Sequence, residues 1–262
     1  MQLATGYWAS AALGAGVQAG LFDTLKDGQA TADELSATCG TALNQTTALL
    51  DALVGLGLLS KTNDRYRIAA DYVDLLSPTG GRCMLDALRL NLDMYPMWGK
   101  LGECVKSGGP AVPPEAHLGG DEARTRRFVM GMHSRALAIE PMIVGAVDVA
   151  GKRRLLDVGC GPGTFSRAIA SANPSLNVTL FDLPPVLNVA RELTADHPAA
   201  DRITFTPGSY REGELPAGHD AAFYCGALHQ ETDESAAALF GRLFDAIEPG
   251  GSLTVIDLML ED

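Results

Sequence analysis

The pattern of hydrophobic and polar positions changes about halfway along the chain. Up to about residue 150, apolar residues recur every three or four positions, the spacing of helices that bury one face. Beyond that point short apolar runs alternate with helical segments, and the runs lie at 155–158, 177–182, 202–206, 220–225 and 252–258. Strands that alternate with helices are typical of a parallel, doubly wound sheet. The pattern therefore predicts an α/β domain preceded by a helical one.

The first part of the chain carries no charged side chain before Asp23 and has glycines at 6, 14, 16 and 20. Because it lacks a basic start and is only weakly apolar, it fits neither a signal peptide nor a membrane span. We predict a buried helix over 1–22 that packs closely on another helix. Thr31 and Glu34 form a capping box, which predicts a second helix ending near Gly40. A third helix is expected from Leu43 to Leu56, with an apolar face of Leu43, Leu49, Leu50, Leu53 and Leu56.

A β-hairpin is predicted directly after these helices, with strands at 58–61 and 65–68 joined by a turn at Thr62-Asn63-Asp64. Helix, turn, helix and hairpin follow one another as in a winged helix, a fold that often binds DNA. Residues 1–80 nevertheless carry four basic side chains against eight acidic ones, and the would-be recognition helix has neither Lys nor Arg. Because affinity for DNA depends on neutralising phosphates, we do not expect nucleic acid as a partner.

Between residues 81 and 150 the pattern predicts three further helices and a loop. One helix is expected from Cys83 to Val105, packing through Leu85, Leu88, Leu92, Tyr95 and Trp98. A loop rich in Gly and Pro is expected from Ser107 to Gly120, and two helices at 121–133 and 136–149. We therefore divide the chain into a winged-helix-like domain at 1–80, a helical linker and substrate-pocket segment at 81–150, and an α/β domain at 151–262.

The composition of the chain indicates which class of partner it binds and which cellular compartment suits it. With 262 residues, 47% of them hydrophobic, the chain can bury a sizeable core, and its net charge of −12 favours a small-molecule partner over nucleic acid or anionic membrane. The five cysteines are odd in number and contain no C-x-x-C, which is typical of reduced thiols in a cytoplasmic protein without a zinc site. The histidines show no ligand spacing either, so no metal is expected.

The stretch from Lys152 to Thr164 is the candidate ligand site. An apolar strand leads into Gly159, Gly161 and Gly163, and a helix follows. Glycine lets the backbone approach a ligand, and the free N–H groups at a helix start favour polar or anionic groups. A dinucleotide fingerprint needs glycine at position 164, where this chain has Thr. Asp182, at the end of the next strand, can accept hydrogen bonds from both ribose hydroxyls of an adenosine.

Four motifs together resemble class I S-adenosylmethionine-dependent methyltransferases: D-V-G-C-G-P-G at 157–163, F-D-L-P-P-V at 181–186, L-H at 228–229 and E-P-G-G at 248–251. More narrowly, the chain is similar to the small-molecule O-methyltransferase family of plants and bacteria, which includes caffeate and acetylserotonin O-methyltransferases. The resemblance implies a Rossmann-like, mostly parallel sheet behind a winged-helix-like domain that forms a homodimer. It also implies a cytoplasmic enzyme that methylates a hydroxyl of a small aromatic or polyketide-like metabolite.

The resemblance assigns a cofactor role to residues at the ends of four predicted strands. Those that would hold the methionine part of S-adenosylmethionine are Asp157, Gly159, Gly161 and Gly163. Those that would hold its ribose and adenine are Asp182, Leu183, Ser209 and Tyr210. Cys225 stands near the cofactor, where the family commonly has Lys or Arg.

His229 matches the family's catalytic histidine, and Asp257 matches the acidic residue that orients it. A histidine is suited to deprotonating a phenol near neutral pH. Met132 matches a methionine that lines the substrate pocket in the family, and we expect His133, which follows it, to face the same cavity. The chain departs from the family at His229-Gln230-Glu231, where His-Asp-Trp is usual. It also ends directly after the fifth predicted strand, where the family has two more, so we expect a fragment or one part of a split gene.

Other functions stay open at this point. The same cofactor fold can support C- or N-methylation, and it occurs in homologues that do not methylate or are inactive. A more remote alternative is a winged-helix regulator with a ligand-sensing α/β domain.

Overall fold

The computed structural model describes residues 2–109 and 121–259, so most of the loop predicted at 107–120 lies outside the described residues. The chain folds into two compact units, Met1–Val112 and Pro113–Asp262. The division into domains at residues 80 and 150 stays a prediction. Among the described residues, no helix combines the length and the apolar character needed to cross a membrane.

The first unit consists of short helices and a small antiparallel sheet. Its helices are α1 (Gln2–Thr5), α2 (Tyr7–Gln18), α3 (Leu21–Thr24), α4 (Ala32–Cys39), α5 (Leu43–Gly55), α6 (Val73–Leu76), α7 (Leu85–Trp98) and α8 (Leu101–Ser107). Its strands are β1 (Ala30–Thr31), β2 (Leu59–Thr62) and β3 (Arg65–Ile68), in the order β1-β3-β2. The two-residue strand β1 is too short to leave a sequence pattern and was not predicted.

Local signals in this unit are confirmed. The Thr31 hydroxyl accepts the N–H of Glu34 at 3.2 Å, and the Glu34 carboxylate accepts the N–H of Thr31 at 2.8 Å, which completes the capping box of α4. Asn63 and Asp64 join β2 to β3 with φ values of 49° and 62°, a left-handed turn that Asn and Asp tolerate. The predicted winged-helix order is therefore present.

The single helix predicted over 1–22 is divided into α1, α2 and α3 in the structure; α2 packs closely, as predicted, but is not buried along its whole length. A Cβ on Gly14 would overlap Cδ2 of Leu92 in α7, and one on Gly16 would lie 3.1 Å from Cδ1 of Leu53 in α5. The start of α2 is different, since Tyr7 is 57% and Trp8 62% exposed. The prediction of burial is thus wrong for the first turns of this helix.

Several predicted packing residues of the first unit lie at helix ends and are exposed. Leu50 and Leu53 fill the core, whereas Leu43 starts α5 and Leu56 follows its last residue. The segment 83–105 forms two helices instead of one, with a break at Gly99-Lys100. The exposed predicted contacts are Leu43, Leu56, Tyr95 and Trp98. Periodicity identifies the apolar stripe of a helix but not the point at which the stripe leaves the core.

The second unit begins with one long helix, α9 (Glu122–Ala146), which Asp121 caps by accepting the N–H of Arg124 at 3.0 Å. Two helices were predicted here, with a break after His133. That prediction is wrong, because residues 134–135 are Ser and Arg, which do not break a helix. The helix also continues through Pro141.

A five-stranded parallel sheet follows, in the order β6-β5-β4-β7-β8. The elements are β4 (Arg154–Val158), α10 (Thr164–Ala172), β5 (Asn177–Asp182), α11 (Pro184–Thr194), β6 (Ile203–Pro207), β7 (His219–Cys225), α12 (Asp233–Ala246) and β8 (Ile247–Ile256). The predicted strands are confirmed, although β8 starts five residues earlier than expected and includes Pro249 to Gly251.

Helices cover both faces of this sheet, which is why its strands are apolar on both sides. Leu155, Leu180 and Phe223 pack on the side of α9, α10 and α11. Leu156 and Tyr224 pack on the side of α12. The strand order reverses at β4, with β5 on one side and β7 on the other, so the carboxyl ends of these strands border the crevice where such sheets bind ligands. The predicted doubly wound fold is confirmed.

Candidate active site

The glycine turn after β4 has a left-handed backbone at three glycines, and two of them also have a close neighbour where a Cβ would lie. Gly159, Gly161 and Gly163 have φ values of 66°, 53° and 66°, in the left-handed region that side chains disfavour. A Cβ on Gly163 would lie 2.7 Å from Cδ1 of Leu180, and one on Gly159 3.2 Å from Cε1 of Tyr210. A Cβ would therefore clash at Gly163 and fit tightly at Gly159, whereas at Gly161 it would meet no neighbour and only the backbone conformation favours glycine.

Asp182 joins the end of β5 to this turn. Its Oδ2 accepts the N–H of Gly161 at 2.8 Å, and its Oδ1 accepts the N–H of Leu183 at 2.7 Å. Burial raises the pKa of Asp182 to about 6, and the two backbone hydrogen bonds oppose that rise. A carboxylate has about four lone-pair directions, so two stay available for a ligand's hydroxyls.

Asp157 lies one strand away and is 4% exposed. Ser166, in the first turns of α10, donates its hydroxyl to Oδ2 of Asp157 at 2.7 Å. Burial raises the pKa of Asp157 to about 7; the bond from Ser166 lowers it and the charge of Asp182 raises it further. Two buried carboxyls thus flank the glycine turn, and a cationic group of a ligand would stabilise the ionised form of each.

Arg167 supports the turn from within the protein, and sequence reasoning missed it. Its side chain is buried; Nη1 donates to the carbonyl of Pro162 at 2.5 Å and Nη2 to the hydroxyl of Thr164 at 3.4 Å. Burial lowers the pKa of Arg167 to about 10. A buried arginine inside a helix leaves no distinct sequence signal, because helical arginines are usually solvated.

The remaining predicted cofactor residues lie near the same edge of the sheet. Tyr210 follows β6, and its ring meets that of Tyr224 edge-on with centroids 5.6 Å apart. The hydroxyl of Ser209 accepts the N–H of Arg211 at 3.3 Å. Cys225 ends β7, where burial raises the pKa of its thiol to about 12, so the thiol is neutral. Tyr210, Asp182 and the glycine turn are brought together directly by the contacts of Gly159 and Gly161.

His229 and Asp257 form the hydrogen-bonded pair expected of a base and its orienting group. His229 lies on a short 3₁₀ turn, Leu228–Gln230, after β7, and Asp257 follows β8. Nδ1 of His229 is 2.8 Å from Oδ1 of Asp257, whose Oδ2 accepts the N–H of Leu228 at 2.7 Å. The Asp257 side chain is 2% exposed, whereas that of His229 is 50% exposed.

The pKa of Asp257 lies below its ordinary value. Burial alone would raise it, but the hydrogen bonds from the His229 ring and from the backbone N–H groups of Leu258 and His229 outweigh that effect. Asp257 is therefore ionised at neutral pH and can accept a proton carried on Nδ1 of His229. In that tautomer the lone pair of the ring lies on Nε2.

Met132 and His133 lie next to each other on α9 and therefore project in different directions. Nδ1 of His133 is 2.7 Å from the hydroxyl of Thr164, at the start of α10. His133 and Thr164 line a cavity of about 620 Å³ together with Arg167 and His197. The substrate-binding role of both residues stays a prediction. In the described ranges, no three His, Cys, Asp or Glu side chains lie close enough to hold a metal ion.

The chain matches known proteins in both of its parts. Residues 1–74 match the O-methyltransferase dimerisation domain, and residues 98–262 match the O-methyltransferase domain. Among curated relatives, the 3-hydroxy-5-methyl-1-naphthoate 3-O-methyltransferase of Streptomyces sahachiroi is 30% identical over 268 residues, covering 99% of this chain and 76% of the relative. The N,N-dimethyltransferase OxyT of Streptomyces rimosus is 30% identical over 274 residues, covering 100% and 78%.

Solved structures show the same fold. Human N-acetylserotonin methyltransferase in complex with S-adenosylmethionine superposes with a TM-score of 0.86 at 23% identity, covering 97% of this chain and 77% of that one. The family matches confirm the resemblance drawn from the motifs, and the superposition confirms the fold. With its own dimerisation domain in front of the methyltransferase domain, the chain belongs to the O-methyltransferase family.

Proposed function

We propose that the protein uses S-adenosylmethionine to methylate a hydroxyl of a small aromatic or polyketide-like molecule, with His229 as the general base. The observation that carries the proposal is the hydrogen bond between His229 and Asp257 at the carboxyl edge of the sheet. Family membership and the naphthoate O-methyltransferase relative support the acceptor class.

The residues around the glycine turn fit this cofactor. Asp157 would attract its ammonium group, Asp182 would accept its ribose hydroxyls, and the turn leaves room because no Cβ intrudes. Leu183, Ser209, Tyr210 and Cys225 would border the adenosine. When bound, S-adenosylmethionine supplies an electrophilic methyl group on a sulfonium.

His229 would take the proton of the acceptor hydroxyl on Nε2 as that oxygen receives the methyl group, whose bond to the sulfonium sulfur would break and leave neutral S-adenosylhomocysteine. The charge on the ring then grows, and the ionised Asp257 stabilises it and holds the ring in one orientation. Alignment of the hydroxyl with the methyl group contributes much of the rate, which is why the fixed position of the 3₁₀ turn matters.

Replacement of His229 tests the proposal. We expect His229→Ala to lower kcat by about 10²- to 10⁴-fold, the usual contribution of a general base, and to leave the affinity for S-adenosylhomocysteine unchanged. His219→Gln, which changes a histidine at the opposite end of β7 from His229, is the control. Full turnover in the His229 variant would contradict the assignment of the base.

N-methylation is a second candidate, because the relative OxyT is an N,N-dimethyltransferase with the same identity as the naphthoate O-methyltransferase and nearly the same coverage. A neutral amine needs less help from a base than a hydroxyl does. Product analysis by mass and by the position of the new methyl group distinguishes the two, and little loss of rate in His229→Ala would favour nitrogen.

We also propose that the protein is a homodimer formed through its first unit, which matches a dimerisation domain. The exposed apolar side chains Leu3, Tyr7 and Trp8 at its start support this. The free thiols and acidic charge support a cytoplasmic location.

A further inference from the structure

Glu231 lies two residues after His229 and forms an ion pair with a residue of another loop. Its side chain is 4% exposed, and Oε1 accepts the Nε–H of Arg211 at 3.0 Å. The backbone N–H of Glu231 also donates to the carbonyl of Leu228 at 2.9 Å, which closes the 3₁₀ turn. Glu231 thus belongs to the turn that carries His229, and its carboxylate reaches away from that turn.

Arg211 belongs to the loop after β6, on which the adjacent Tyr210 packs against the glycine turn at Gly159. The guanidinium carbon of Arg211 is 5.9 Å from the centre of the Tyr210 ring. Arg242 of α12 fixes the same loop by donating to the carbonyl of Tyr210 at 2.7 Å. Glu231 of the ion pair therefore lies on the turn that carries His229, and Arg211 lies on the loop whose Tyr210 packs against the glycine turn.

Tyr210 of one loop and Leu228 of the other pack against the same apolar cluster beside α12, and the Arg211–Glu231 ion pair joins the two loops directly. A cavity of about 280 Å³ lies between them and α12, lined by the paired residues together with Gln230, Thr232 and Ser235. Glu231 is the buried partner of the pair, whereas Arg211 is 36% exposed, so loss of Arg211 would leave the Glu231 carboxylate desolvated without its cation.

We propose that the Arg211–Glu231 ion pair positions the His229 turn relative to the Tyr210 wall of the cofactor site. This inference rests on the proposed function, because the alignment it maintains is that of base and cofactor. Glu231 and Arg211 are positioning residues: they act through His229 and Tyr210 and do not take part in proton transfer.

Hydrogen exchange of the cofactor-free protein tests the coupling directly. Arg211→Gln is expected to raise exchange about threefold or more in the turn 226–232, and Glu231→Gln to raise it in the loop 208–213, so that each variant loosens the segment of its partner. Glu212→Gln, an exposed glutamate in the same loop, is the control. Changes confined to the segment that carries the substitution would overturn the proposal.

Affinity for S-adenosylhomocysteine gives a second readout. Each single variant should bind about tenfold more weakly, and the double variant should bind no more weakly than the weaker single one, because the pair can be broken only once. If the fold losses in affinity of the two single variants multiply in the double variant, or if Glu231→Gln binds with unchanged affinity, the coupling is refuted. If the unaltered protein does not bind S-adenosylhomocysteine, the proposed function fails, while the exchange measurement still decides the ion pair.

Discussion

Oδ1 of Asp257 lies 2.8 Å from Nδ1 of His229, and the same carboxylate accepts the backbone N–H groups of Leu228 and His229 through Oδ2. One buried side chain after β8 therefore fixes both the ring of His229 and the turn that carries it. Because β7 and β8 are adjacent strands, these contacts fix the orientation of the His229 ring relative to the sheet.

Asp257→Asn should lower kcat by about 10²-fold while the affinity for S-adenosylhomocysteine changes little. An Asn side chain cannot keep both attachments as they are. If its oxygen accepts the backbone N–H groups, its NH₂ group faces Nδ1 of His229 and favours the tautomer that carries the proton on Nε2, which is the wrong one for a base. Steady-state kinetics beside calorimetric titration measures both quantities.

Asp220→Asn is the matched control for that experiment. Asp220 also accepts two backbone N–H groups, those of Arg153 and Arg154, but it does so at the opposite end of the sheet. Asp220→Asn should lower the stability of the protein and leave kcat unchanged. An equal loss of kcat in both variants would mean that Asp257 acts only on the fold.

Binding of S-adenosylhomocysteine should tighten as the pH rises from about 5.5 to 8. Burial holds the pKa of Asp157 at about 7 in the cofactor-free protein, so part of the population is protonated at neutral pH. The ammonium group of the ligand stabilises the ionised form of Asp157. Binding at a pH near or below that pKa therefore releases a proton. Titration calorimetry in buffers of different ionisation enthalpy measures the release.

Asp157→Asn should remove most of that pH dependence and weaken binding at pH 8. A smaller slope is expected to persist around pH 6, where Asp182 titrates because burial raises its pKa to about 6. An unchanged slope in the variant would show that another group binds the proton.

Gly163→Ala should destabilise the protein more than Gly213→Ala does. Both glycines have positive φ values, 66° and 83°, but only at Gly163 does the new Cβ meet a neighbour, Cδ1 of Leu180 at 2.7 Å. Strain at positive φ costs about 1 kcal/mol or more in both, and the clash adds about 1–3 kcal/mol in the first. Urea unfolding of the two variants gives the difference, and equal midpoints would refute the clash.

Trp8→Ser should shift the protein from dimer to monomer without unfolding it. Trp8 is 62% exposed in a unit that matches a dimerisation domain, so its loss costs little in the single chain. Light scattering after gel filtration measures the mass. Val73→Ser, 45% exposed in the same unit, should leave the mass unchanged, and a monomeric unaltered protein would contradict the dimer.

The amino-acid sequence by itself determined the elements whose signals are local. The capping box of α4, the Asn63-Asp64 turn and the alternation of strands and helices from Leu155 onward each depend on neighbouring residues, and all were predicted. The glycine turn and Asp182 were recognisable for the same reason, because a strand, its turn and the next strand end lie close together in the chain.

Only the tertiary structure decided which distant side chains meet. The attachment of Asp257 to the His229 turn, the support of the glycine turn by Arg167 and the pairing of Glu231 with Arg211 join residues from different elements. It also decided that 122–146 is one helix and that Tyr7, Trp8 and Trp98 are exposed. Periodicity describes one element at a time, whereas burial and charge pairing depend on what the folded chain brings against it.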